Sequence, residues 1–185
     1  MKQIFLYLIL LNTASLSWSN APTHELTASF WNSPSFVRSF MGDYGFRSEI
    51  EPKISKNEKL IIQEVVAKAE NQLEEAITYL EKKTDVKSSA ALDFSLATMY
   101  YQHGRLTRSE ESYKNALNKF PSFLRAYKNL GFVELSLGKF DQASKSFSKS
   151  ISLGEGDGVT YVALGYCYYM RQQFVSAENA YRMGI

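Results

Sequence analysis

Apolar and polar positions fall into a helical rhythm from Lys56 onward and show little of it earlier. Ile61, Val65, Ala69, Leu73, Ala76, Ile77 and Leu80 recur every three or four residues, one amphipathic stripe with no glycine or proline inside it. Ser55-Lys56-Asn57-Glu58 has capping-box spacing, in which serine satisfies one orphan backbone donor and glutamate reaches back to another. The length to about Lys83 permits one long helix or two shorter ones, and with no glycine or proline to break it the pattern predicts one, followed by a polar linker from Thr84 to Ser89.

From Ala90 the pattern repeats at an interval of 34 residues. Leu96, Leu130 and Leu164 are one interval apart, as are Ala97, Gly131 and Gly165. The register continues through Ser109, Ala143 and Ala177, then Tyr113, Phe147 and Tyr181. The first interval predicts one helix from Ala90 to about His103 and another from about Arg108 to Lys119. Gly104 ends the first, Thr107 with Glu110 offers a second capping box, and Pro121 blocks continuation. Small residues at 97, 131 and 165 let paired helices approach, while the aromatic rings at 113, 147 and 181 fill the space between them. Such a period is the mark of stacked helix–turn–helix units.

These residues resemble the tetratricopeptide-repeat family, whose pattern runs from a large residue through Leu-Gly and Tyr to Ala, an aromatic and a closing Pro. The first unit supplies Leu96, Ala97, Tyr100, Gly104, Ser109, Tyr113, Ala116 and Pro121; the second Tyr127, Leu130, Gly131, Gly138, Ala143, Phe147 and Ser150. The third supplies Tyr161, Leu164, Gly165, Tyr168, Ala177 and Tyr181. Three departures stand out: Asp93 where the family prefers a large side chain, Glu134 where it prefers tyrosine, and Glu155 for the closing proline. At that last position the run Gly154-Glu155-Gly156-Asp157-Gly158 is expected to make the turn.

The resemblance implies an all-α, right-handed α-solenoid of antiparallel helix pairs whose first helices line a concave groove for partner peptides. Counting outward from the packing residues, that groove carries Thr98, Tyr101 and Gln102 from the first unit and Arg125, Lys128, Asn129 and Phe132 from the second. The third adds Val162, Tyr166 and Tyr169. Aromatic residues beside Arg125 and Lys128 suit an extended or helical segment bearing an acidic group. The two-unit clamp with which some family members hold a C-terminal carboxylate is not matched, because Arg125, Lys128 and Asn129 share one unit and the preceding helix offers Phe94 and Thr98.

The start of the chain has a different character. Lys2, the eight-residue apolar run Ile4 to Leu11 and the small polar tail to Ala21 form a secretory signal, with cleavage expected after Ser19. The run is far shorter than the roughly 20 residues of a membrane span, so no anchor is expected in the mature chain. Next comes an aromatic stretch with a short helix from Pro34 to Met41. There Phe30, Trp31, Phe36, Phe40, Tyr44 and Phe46 are expected to cover the first long helix, the alternative being a separate recognition patch. The expected division is thus 1–21 signal, 22–54 aromatic segment, 55–89 capping helix and linker, then repeats at 90–123, 124–157 and 158–185. The last is incomplete and lacks a polar capping helix, so its apolar end is expected to meet further repeats or to self-associate.

Composition narrows the function. Net charge is +2 with both signs interspersed, which gives no clustered basic face for a nucleic-acid backbone. Cys167 is the only cysteine, which excludes an intrachain disulfide and fits a packing role in an apolar helix. His24 and His103 lie in different regions with no partner at metal-ligand spacing, and no hydrolase or paired-cysteine motif occurs. The Gly154–Gly158 run lacks the ending of a phosphate loop and the spacing of a calcium loop. The expectation is a non-catalytic, cofactor-free scaffold for a protein or peptide partner, exported to the periplasm of a Gram-negative cell or otherwise outside the cell. The alternative is an accessory segment of a larger exported enzyme whose catalytic domain lies beyond Ile185.

Overall fold

A computed structural model of the chain describes residues 49–69, 72–154 and 156–185; the expected signal and the aromatic cluster from Phe30 to Phe46 lie outside the described residues. Eight α-helices and no strand occur among the described residues, arranged as four antiparallel pairs. They are α1 (Lys56–Ala69) with α2 (Leu73–Glu81), α3 (Ala90–Gln102) with α4 (Leu106–Lys119), α5 (Leu124–Ser136) with α6 (Phe140–Ser152), and α7 (Gly158–Met170) with α8 (Phe174–Met183). Each second helix packs on the first helix of the next pair, and successive first helices also touch, so α1, α3, α5 and α7 form one continuous layer. This is the α-solenoid expected from the repeat.

The single helix expected from 56 to 83 is corrected: the chain leaves helical geometry at Gln72 (φ −144°, ψ 63°) and turns back. A continuous helix of that length would run about 40 Å, well past the end of the neighbouring core. Folded back, Ile61, Ile62 and Val65 of α1 and Ala76, Ile77 and Leu80 of α2 are buried together with Leu92, Leu96 and Met99 of α3. The hydroxyl of Tyr79 donates to Glu64 Oε2 at 2.5 Å and ties the two helices together. First helices therefore begin at Lys56, Ala90, Leu124 and Gly158, each 34 residues after the last, so the interval extends one unit further upstream than the side-chain pattern.

The capping box at Ser55 forms as expected. Ser55 N–H donates to Glu58 Oε2 at 2.8 Å and Glu58 N–H to Ser55 Oγ at 3.2 Å. The second box does not form: α4 begins at Leu106 with Arg105 as its N-cap residue, which leaves Thr107 inside the helix. Glu110 instead receives Lys114 at 2.7 Å and, across to the next pair, Lys139 at 2.6 Å.

Within the repeats, Tyr113 and Phe147 are fully buried between their own paired helices. Burying such a ring contributes about 2–3 kcal/mol, so these two positions dominate the cohesion of their pairs. Cys167 is completely buried and its thiol is pushed up to about 11 by that burial, as befits a packing residue.

Candidate partner-binding groove

The layer of first helices presents one long face, and the ten residues expected on it divide into three groups. Thr98, Asn129 and Phe132 are half-buried and serve the packing of the pairs. Thr98 Oγ1 lies 2.8 Å from the Tyr113 hydroxyl, and Asn129 Nδ2 donates to the same hydroxyl at 3.2 Å. One buried tyrosine on α4 thereby fastens α3 to α5, and burial raises its pKa further than those two hydrogen bonds lower it. Phe132 meets the Phe147 ring edge-on, with centroids 5.0 Å apart.

Arg125 and Lys128 form the second group, and both face the chain itself. Arg125 Nε and Nη2 each donate at 2.7 Å to the two carboxylate oxygens of Glu51, a bidentate pair across 74 residues. The guanidinium also lies over the rings of Phe94 and Phe123, its Cζ 5.0 Å and 5.7 Å from their centroids, which holds it flat and partly desolvated. Lys128 donates to Asp157 Oδ2 at 2.6 Å. Asp157 is the N-cap of α7, accepting from Thr160 N–H at 2.8 Å and from its hydroxyl at 2.6 Å. Partial burial alone would raise the Asp157 pKa. The Lys128 ammonium and the two Thr160 donors outweigh it and hold the carboxyl down at about 2.

Tyr101, Gln102, Val162, Tyr166 and Tyr169 form the third group. Gln102 is half-buried, with Oε1 buried and without a partner among the described residues. Tyr101, Val162, Tyr166 and Tyr169 are exposed, the last three aligned along α7 at the i, i+4, i+7 spacing of one helix face. Tyr166 rests edge-on against Phe140 and Tyr169 against Phe174, with centroids 6.1 Å and 5.9 Å apart, so neighbouring rings hold their orientation. The cations of α5 are thus paired with carboxylates of the same chain, while Tyr101 on α3 and the aromatic side chains of α7 stay exposed.

One contributor escaped the sequence reading altogether. The stretch 49–52 lies beside Arg125: Ser122 Oγ donates to the Glu49 carbonyl at 2.6 Å and Leu124 N–H to the Ile50 carbonyl at 3.3 Å. The only hint of docking in Glu51-Pro52 is the acidic charge that Arg125 demands. A contact spanning 74 residues leaves no periodic trace.

Two of the departures from the repeat pattern, Asp93 and Glu134, find partners, whereas Glu155 lies outside the described residues. Asp93 receives Lys119 Nζ at 2.5 Å and Glu134 accepts from Ser146 Oγ at 2.7 Å, each within its own helix pair. Burial raises both carboxyls above their ordinary values despite those donors. Elsewhere His103 Nε2 lies 3.1 Å from Glu74, in a surface cluster with Arg105. Among the described residues no cluster of three histidine, cysteine or acidic side chains could hold a metal ion. No described helix is long and apolar enough to cross a membrane.

The architecture is that of tetratricopeptide-repeat proteins, helix pairs stacked at a 34-residue interval into an α-solenoid. A crystal structure of MamA shares it with a TM-score of 0.62 at 21% identity, over 70% of this chain and 76% of that one. PilF of Pseudomonas aeruginosa gives 0.58 at 22% identity, over 68% of this chain but only 58% of PilF. BtubC from P. vanneervenii gives 0.59 at 18% identity, over 92% and 75%. At these identities the likeness establishes the fold. No protein-family model matches the chain, and no curated protein matches it significantly.

Proposed function

We propose that the chain is a non-catalytic interaction scaffold that holds a protein segment along the face formed by α3, α5 and α7. The observation that carries this reading is the pairing of Arg125 with Glu51, an acidic side chain on a non-helical stretch lying against the N-terminal end of α5. At the other end Tyr166 and Tyr169 offer amphipathic rings to solvent. Charge-assisted pairing at one end and aromatic contact at the other suit a segment that combines acidic and apolar residues. The interspersed surface charge favours a protein over a nucleic acid as partner.

The Lys2-to-Ala21 sequence supports delivery through a secretory pathway, to the periplasm in a Gram-negative cell and otherwise to the exterior. Exposed Phe174, Val175 and Met183 on α8 favour a second contact, between copies of the chain, which concentration-dependent sedimentation reads directly.

A photo-reactive amino acid at position 166, compared with one at the exposed Lys145 on α6, tests the groove in the full-length chain expressed in its own cells. Capture of a discrete protein partner from 166 and not from 145 is expected. Equal capture from both, or capture from 145 alone, overturns the reading. Amino-terminal sequencing of the exported fraction should begin within a few residues of Asn20, whereas an intact Met1 there overturns export by a cleaved signal.

A further inference from the structure

The stretch 49–52 is held like a groove ligand. Two of its carbonyls accept from Ser122 and from the Leu124 amide, contacts any extended segment could make. One side chain, Glu51, carries the specificity: it is only 8% exposed and its carboxylate is gripped through both oxygens. The cradle is built from three elements, with Phe94 from α3, Phe123 from the loop before α5 and Arg125 from α5. None of the residues from 49 to 54 is helical. Pro52 is buried and Ile54 packs against the core of α1 to α3, which anchors the segment at that end, whereas Glu49 to Glu51 attach through these polar contacts.

We propose that Glu49-Ile50-Glu51-Pro52 is the groove's own intramolecular ligand, and that the partner is an extended acidic segment of the same kind whose carboxylate replaces Glu51 on Arg125. This inference rests on the groove reading above and adds the partner's chemistry and a means of control. A tethered segment competes at an effective concentration on the order of mM, so only a partner that also engages the α7 aromatics displaces it. The Arg125 cradle is thereby kept filled until a partner with both features arrives.

The probe is a fluorescent peptide with the sequence of residues 48–54, Ser-Glu-Ile-Glu-Pro-Lys-Ile, added to the full chain. Glu51→Ala should bind it at least about tenfold more tightly than the unaltered chain, because the competing carboxylate is gone. A peptide with glutamine in place of Glu51 should bind that variant at least about tenfold more weakly, and adding Arg125→Gln should abolish binding. Hydrogen exchange supplies a second readout: the Leu124 amide, bonded to the Ile50 carbonyl, should lose protection in Glu51→Ala and regain it with peptide.

Equal affinity of the two chains for the peptide, or indifference to the glutamine change, overturns the proposal. So does a Glu51→Ala chain that is globally destabilised yet takes up no peptide, since Glu51 is then a structural staple. Capture at position 166 with no peptide exchange refutes this inference alone. Absence of site-specific capture at 166 refutes the groove reading and leaves the exchange result standing.

Discussion

Gly131 faces the ring of Phe147 so closely that a Cβ at 131 would stand 2.7 Å from Cε1 of that ring, nearer than carbon atoms pack. Phe147 is fully buried between α5 and α6 and cannot swing into solvent. The same relation recurs one interval later, where a Cβ at Gly165 would lie 2.8 Å from the Tyr181 ring. Gly131→Leu should therefore destabilise the chain by about 1–3 kcal/mol, although leucine is the better helix former by nearly 1 kcal/mol. Urea unfolding measures the balance. An unchanged or raised midpoint would mean that the pair can open without loss.

This contact marks how far the sequence could be read. Gly131, Phe147 and their counterparts are legible because a helix pair must satisfy the same steric demand at every repeat, so the demand appears as periodicity. The break at Gln72 was not legible: neither proline nor glycine marks it, and what selects it is the tertiary gain of laying Ile61 and Val65 against Ile77 and Leu80. That α3, α5 and α7 are the first helices of their pairs was legible, but the partners of their side chains were not. Arg125 and Lys128 could be placed there by counting, whereas Glu51 and Asp157 arrive from other segments and were invisible to any local pattern.

Gln172 occupies the turn between α7 and α8 with φ +59°, where Gly104 and Gly138 occupy the matching turns at +75° and +72°. Left-handed geometry costs a side chain roughly 1–2 kcal/mol, and glycine escapes that cost while losing some entropy on folding. Gln172→Gly should therefore stabilise the last pair by about 0.5–1 kcal/mol. The check is a higher melting temperature together with slower hydrogen exchange in α8. A lower melting temperature would contradict the strain assigned to this turn.

Asp93 and Lys119 make the sharpest case of a buried charge that depends on one partner. The Asp93 side chain is 6% exposed, and burial raises its pKa above the ordinary 3.8 even with the ammonium beside it. Lys119→Met should cost about 3 kcal/mol near neutral pH, and Asp93→Asn added to it should recover part of the loss. The pH dependence has a defined sign. A raised folded-state pKa makes the penalty small below the unfolded value of 3.8, and the penalty grows as pH rises through the folded value. The Lys119→Met deficit should therefore shrink on acidification, and a deficit independent of pH would exclude Asp93 as its source.

Asp157 has the opposite sign and links α5 to α7. Its carboxyl titrates near 2 instead of the ordinary 3.8 because Lys128 on α5 and Thr160 on α7 hold the ionised form. A depressed folded-state pKa gives stability that is fully present above 3.8 and is lost as pH falls from there towards 2. The side chain is 45% exposed, so solvent screening limits its contribution to about 1 kcal/mol. Asp157→Asn keeps the N-cap geometry, so at neutral pH it should cost about that much, and its stability should converge with that of the unaltered chain near pH 2. Lys128→Met should move the Asp157 carboxyl resonance, followed by NMR titration, back towards 3.8 without unfolding α7. If that resonance already titrates at 3.8 in the unaltered chain, the bridge from α5 to α7 is absent in solution.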